Sequence, residues 1–103
     1  MGPPKLTPEQ RAMALQKAAE ARRRRAEAKE MLKSGSLTLP QLLERAETDE
    51  FLAGMKVKSV LIALPGLGKV KSHRLMEKLG IAENRRVRGL GARQREALLA
   101  TLF

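Results

Sequence analysis

The chain has 103 residues, a size that fits one domain and leaves no room for a deep catalytic cavity. It carries 21 basic and 11 acidic residues, so its formal charge is +10 and a strongly anionic partner is expected. The absence of cysteine excludes disulfides and thiolate metal sites. No apolar run approaches the roughly 18 residues that a membrane-spanning helix needs. We therefore expect a cytoplasmic protein without a membrane segment, and we assign it no metal, cofactor or catalytic residues.

The first predicted element is a long N-terminal helix. Thr7 and Gln10 have the spacing of a capping box, and Pro8 suits the first helical turn. Gly35 can adopt the left-handed conformation that ends a helix near Lys33. Its apolar stripe is made of alanines, which bury little area, so we expect the helix to dock loosely and to act as an arm over a bound partner.

This helix contains a run of four arginines, namely Arg22, Arg23, Arg24 and Arg25. The spacing of four residues pairs Glu20 with Arg24 and Arg23 with Glu27, which predicts ordinary surface ion pairs. Contact with a nucleic acid is the equally supported alternative.

Two shorter helical segments follow. Thr38 and Gln41 repeat the capping pattern, and the helix after them has a period near 3.6 in its apolar residues, namely Leu39, Leu42, Leu43 and Ala46. Thr48, Asp49 and Glu50 offer a cap and an acidic first turn for a short segment that contains Phe51 and Leu52, and Gly54 interrupts this segment.

The C-terminal half predicts three more helices, at residues 58–64, 69–79 and 92–101. The middle one has apolar residues at helical spacing, which are Val70, Leu75, Met76 and Leu79. No alternating apolar pattern long enough for a strand occurs, so the fold class is all-α. Residues 56–103 have a net charge of +8, against +2 for residues 1–55, which assigns polyanion binding to the C-terminal half.

A glycine-rich turn joins the first two of these helices and is the main candidate binding segment. In a helix-hairpin-helix, such glycines allow close approach to a phosphate, and the next helix presents unpaired amides. The candidate residues are Pro65, Gly66, Leu67, Gly68, Lys69 and Lys71. A plain turn is the alternative. A P-loop is excluded because Val70 follows the lysine where Ser or Thr is required.

The second candidate segment is a basic loop at residues 84–91. Arginine's planar guanidinium suits phosphate oxygens, and flexible glycines let a short loop press against a duplex. The candidate residues are Arg85, Arg86, Arg88 and Gly89. A solvated loop without a binding role is the alternative.

Four segments in this order resemble the actinobacterial integration host factor family over nearly the whole chain: LTPEQRAMALQKAAEARRRRAEAKEMLKSG, AETDEFLAGMKV, LIALPGLGKVKSHRLMEKLGI and RRVRGLGARQREALL. The resemblance implies a lid helix at residues 1–35 and a helix-two-turns-helix body at residues 36–103. It also implies a nucleoid-associated protein that binds duplex DNA with little sequence preference, bends or compacts it, and acts in transcription and phage integration, with integrase–DNA complexes as further partners. The same hairpin and arginine residues would contact phosphate.

Two other function classes stay open at this stage. Residues 64–90 are also similar to the helix-two-turns-helix of a small-subunit ribosomal protein, which keeps an RNA- or ribosome-binding alternative. An enzyme such as a glycosylase or nuclease would need a separate catalytic pocket, for which few residues remain. The N-terminal helix lacks a leucine seam, so a monomer is expected.

Overall fold

The computed structural model describes residues 5–103. Residues 1–4, which belong to the predicted lid helix at residues 1–35, lie outside this range. Six α-helices follow one another, which are α1 (Pro8–Ser34), α2 (Leu39–Arg45), α3 (Glu50–Ala53), α4 (Val57–Ala63), α5 (Gly68–Lys78) and α6 (Ala92–Leu102). One 3₁₀ turn lies at Val87–Gly89, and the described residues contain no β-strand. The all-α prediction is confirmed.

The helix ends follow the capping signals. Thr7 accepts a hydrogen bond from the Gln10 amide at 3.1 Å, and the Gln10 side chain accepts one from the Thr7 amide at 3.0 Å. Thr38 and Gln41 form the same reciprocal pair before α2. Gly35 closes α1 with a φ of 82°, a left-handed conformation that glycine adopts without a Cβ penalty. Local sequence therefore sets these boundaries to within about a residue.

The core is aliphatic, as the scarcity of aromatic residues requires. Every helix contributes at least one buried apolar side chain, including the very short α3, which contributes Leu52. The deepest apolar residues are Leu32, Leu37, Leu42, Met55, Val60, Leu61, Met76 and Leu98. The C-terminal end of α1 joins this core through Ala28 and Leu32, so α1 is fastened to the body at one end.

By contrast, the N-terminal part of α1 is exposed, and it contacts α3 through the ion pair between Lys17 Nζ and Glu50 Oε1, 3.6 Å apart. All residues from Lys5 to Glu20 are exposed, including Met13 and Leu15. The helix has 27 residues and is therefore about 40 Å long, close to the longest dimension of the molecule. None of the helices described has both the length and the apolar character that crossing a bilayer would require.

Helices α4 and α5 pack against each other and form the centre of the C-terminal half. The chain leaves α4 through residues 64–67 and, after α5, returns to the start of α4. There the Val57 amide donates to the Arg85 carbonyl oxygen at 2.9 Å, and the Val87 amide donates to the Met55 carbonyl oxygen at 2.9 Å. Val70 shares the helical spacing of the apolar residues of α5, but its side chain is 64% exposed because it lies in the first turn of the helix, outside the packed face.

Candidate nucleic-acid interface

The hairpin, residues 64–71, is shaped by two left-handed glycines. Gly66 has a φ of 78° and Gly68 a φ of 71°, and a Cβ at either position would meet no atom within 4 Å. Glycine is needed here for its backbone conformation and not for space. Leu67, between them, packs against the core and anchors the turn, while Pro65 is exposed.

The start of α5 offers hydrogen-bond donors to solvent. No side chain caps this end, and the first turn contains no acidic residue, so its amides and the positive end of the helix dipole are unopposed. Lys69 and Lys71 are exposed, and neither forms an ion pair with any residue between 5 and 103. The buried hydroxyl of Ser72 donates to the Gly68 carbonyl oxygen, which fixes the turn to the helix.

The arginine loop, residues 84–91, is built differently. Arg85 is half-buried and donates from Nη1 to the Gly89 carbonyl oxygen at 3.1 Å. Arg86 is also half-buried and donates to the Gly54 carbonyl oxygen. Arg88 is exposed and unpaired among the described residues. Of the three arginines, Arg88 is therefore the one whose guanidinium is fully available to an external anion.

The two candidate segments lie at opposite ends of α4. The hairpin follows its last residue, Ala63, whereas the loop is hydrogen-bonded to its first residue, Val57. The seven residues of α4 span about 10 Å, and the eleven of α5 span about 16 Å. The structure therefore forms two separate cationic points rather than one cluster.

The arginine run of α1 divides into two pairs. Arg22 and Arg23 are exposed, and Arg23 lies 4.0 Å from Glu27, the ion pair that the spacing predicts. The predicted pairing of Glu20 with Arg24 is wrong. Arg24 instead binds Asp49 at 2.6 Å, because α3 packs against this part of α1 and brings a more buried carboxylate within reach.

Arg24 and Arg25 thus serve the fold. The guanidinium of Arg24 also lies 5.3 Å from the ring centroid of Phe51, a cation–π distance. Arg25 donates from Nε to the Phe51 carbonyl oxygen at 3.3 Å. Both side chains are half-buried and fasten α1 to α3.

Several residues that support the arginine loop were missed at the level of sequence. The Gln94 side chain accepts from the Gly91 amide at 3.1 Å and donates to the Gly80 carbonyl oxygen at 3.1 Å, which closes the loop on both sides. Glu83 lies 2.9 Å from His73 Nδ1 and 3.6 Å from Lys58 Nζ. The spacing of Gly91 and Gln94, the same as that of the two threonine caps, was the one available signal.

This architecture is that of a small helix-two-turns-helix protein. A family model described as the S13-like H2TH domain matches residues 32–102, which include all helices after α1. The chain belongs to the actinobacterial integration host factor family. It is 60% identical to the integration host factor of Mycolicibacterium smegmatis, with 96% of this chain and 94% of that protein covered.

Two further comparisons support this assignment. The integration host factor of Streptomyces coelicolor is 51% identical, with 91% of this chain and 88% of that protein covered. A solved structure of sIHF bound to an 8bp palindromic DNA is 43% identical, with a TM-score of 0.82, and the alignment covers 85% of this chain and 99% of that one.

Proposed function

We propose that the protein binds duplex DNA through backbone phosphates, with little preference for sequence. The observation that carries the proposal is the pair of cationic points at the two ends of α4, each presenting basic side chains without acidic partners among the described residues. The grooves of B-DNA are about 6 Å and 12 Å wide, so points separated by a helix of about 10 Å suit the two strands that border one groove. The DNA bound by the similar sIHF structure supports the same partner.

In this arrangement the hairpin binds one strand and the arginine loop the other. Gly66, Gly68 and the first amides of α5 approach a phosphate, with Lys69 and Lys71 beside it. Arg88 binds a second phosphate, and Arg85 and Arg86 add positive charge behind it. Neither point presents the Arg, Asn and Gln array of a recognition helix, which favours contacts independent of sequence.

The finer part of the proposal concerns what binding does to DNA. Arg22 and Arg23 extend the exposed positive charge along α1, which supports bending or compaction of the duplex and a place in the nucleoid. The relatives' name, integration host factor, supports a role in integration, here that of a phage. We further propose roles in chromosome organisation and transcription. A circular-permutation gel shift tests bending: the mobility of the complex is expected to depend on the position of the site.

The test of DNA binding is a titration of a short labelled duplex between about 50 mM and 200 mM salt. We expect a steep loss of affinity with salt, similar affinities for unrelated sequences, and weaker binding by Lys69→Ala and Arg88→Ala. Arg45→Ala is the matched control, since Arg45 is exposed on α2 beside Glu44. Normal binding by both variants would overturn the proposed surface.

RNA binding is the second candidate, because the matching family model is described as S13-like and phosphate contacts alone do not distinguish the two duplexes. Competition between matched DNA and RNA duplexes decides the question. Preference for RNA would make this candidate the leading one.

A further inference from the structure

Two arginines from distant parts of the chain meet at Gly54, which follows α3. Arg86, in the arginine loop, donates to the Gly54 carbonyl oxygen. On α1, the Arg25 Nη2 atom would lie 2.7 Å from a Cβ added to Gly54, while Arg25 Nε donates to the Phe51 carbonyl oxygen. The same buried turn of backbone therefore fastens both α1 and the arginine loop.

On the loop side, the residues directly after Gly54 also hold the main chain of the loop. Met55 accepts from the Val87 amide, and Val57 donates to Arg85, each at 2.9 Å. Lys56 and Arg86 form an antiparallel bridge between these bonds. Any movement of residues 54–57 is therefore transmitted to the backbone that carries Arg85 and Arg88.

On the α1 side, two arginines bind the N-cap and the first turn of α3. Arg24 binds Asp49, whose other carboxylate oxygen caps α3 by accepting from the Phe51 amide at 2.9 Å. Arg25 binds the carbonyl oxygen of Phe51, in the same short helix. A helix of four residues has little stability of its own, so these contacts determine where it lies.

We propose that Arg25 and Gly54 are positioning residues for the arginine loop. Through α3, Arg25 fixes the orientation in which Arg85 and Arg88 are presented, without contacting nucleic acid itself. The inference rests on the proposed DNA binding for its affinity readout, but the position of the loop can be measured in the free protein.

The first experiment measures amide hydrogen exchange by NMR in the free full-length chain. In Arg25→Ala, the Val57 and Val87 amides are expected to exchange at least about tenfold faster, the lower end of the factor for one hydrogen bond to a charged group. Arg23→Ala, an exposed neighbour on the same helix, is the matched control and should leave both amides unchanged. The Leu42 amide in α2 reports whether the fold persists. Unchanged exchange at Val57 and Val87 in Arg25→Ala overturns the proposal.

The second experiment uses the crowding between Arg25 and Gly54. Gly54 has a φ of −83°, which alanine tolerates, so the effect of Gly54→Ala comes from what its Cβ meets. In the native background, Gly54→Ala should accelerate hydrogen exchange at the Val57 and Val87 amides. In the Arg25→Ala background, it should have little further effect on this exchange. An equal effect in both backgrounds would mean that the Glu50 carbonyl oxygen, 3.3 Å from the added Cβ, causes the strain, and would overturn the role of Arg25.

DNA affinity then separates positioning from contact. Arg25→Ala is expected to weaken binding several-fold more than Arg45→Ala, with the salt dependence retained, whereas Arg88→Ala should lower the slope of log affinity against log salt by about 0.9. Equal weakening by Arg25→Ala and Arg45→Ala would mean that Arg25 contributes only its charge, and would overturn the proposal. If the native protein binds no DNA, the proposed function fails. The exchange data then still decide whether Arg25 positions the arginine loop.

Discussion

The hairpin and the arginine loop present positive charge to an anion in two different ways. The hairpin uses backbone amides exposed by left-handed glycines, with lysines that form no ion pair with any of residues 5–103. In the arginine loop, Arg85 and Arg86 use part of their hydrogen-bonding capacity to hold the loop itself, whereas Arg88 has no partner in the described part of the chain. The hairpin should therefore be sensitive to its backbone conformation, and the loop to contacts with the rest of the molecule.

Among changes in the two candidate segments, the largest expected effect is that of the double change Gly66→Ala and Gly68→Ala. Each alanine would be held in a left-handed conformation that costs about 1–2 kcal/mol, so the free energy of unfolding should fall by about 2–4 kcal/mol. Chemical denaturation of the purified variants measures this loss.

The control for this change is Gly91→Ala. Gly91 has a φ of −69°, and an added Cβ would meet only the Gln94 side chain, at 3.7 Å. We expect a cost below about 1 kcal/mol, the usual loss at a helix N-cap. Similar costs in the control and the double variant would show that the hairpin does not depend on left-handed glycines.

The next effect tests the dependence of the loop on α3. Asp49→Ala removes the cap of α3 and the partner of Arg24, so unfolding should become easier by about 1–2 kcal/mol. Hydrogen exchange should accelerate at Val87 in the loop and stay unchanged at Leu67 in the hairpin. Asp49→Asn retains a capping oxygen, so its free energy of unfolding should fall by less than that of Asp49→Ala. Faster exchange at Leu67 would mean that the two regions are not independent.

The free lysines of the hairpin give a smaller expected effect. Lys69→Ala with Lys71→Ala should lower DNA affinity by about tenfold and the salt slope by about 0.9 for each phosphate that is no longer neutralised. Stability should be unchanged, because both side chains are exposed. Fluorescence anisotropy over a salt series measures the affinity. An unchanged slope would remove the lysines from the interface.

The smallest effect should come from Val70, which lies between these lysines. Because its side chain packs against no core residue, Val70→Ala is expected to change the free energy of unfolding by less than about 0.5 kcal/mol. Leu61→Ala, a fully buried comparison in α4, should cost about 2–5 kcal/mol. Thermal denaturation measures both, and a large loss for Val70→Ala would mean that the hairpin packs differently.

The sequence was informative where structure depends on near neighbours. Capping boxes at Thr7 and Thr38, the left-handed Gly35 and the apolar period of α2 are all decided within a few residues, and these elements could be predicted closely. The glycine hairpin and the basic loop were likewise visible as candidate segments, and their roles as binding sites stay predictions.

What could not be predicted depends on contacts between distant residues. Arg24 binds Asp49, 25 positions away, and Arg86 binds Gly54, 32 positions away. Neither partner has any local signal that an arginine will reach it. Val70 fits the helical period of α5, but the hairpin turns the first helical turn away from the core. A periodic pattern gives the face of a helix and not how far along that face the packing extends.

The docking of α1 mainly through its C-terminal part has a consequence for how the molecule melts. Its outer turns bury no side chain in the body, so their helicity depends on the capping box and on propagation from the docked end near Ala28 and Leu32. On heating, these turns should fray from the N-terminus before the core opens. Helix content, followed by circular dichroism, should therefore decline gradually before the core unfolds cooperatively. The melting curve for helix content and the melting curve for unfolding of the core should not coincide.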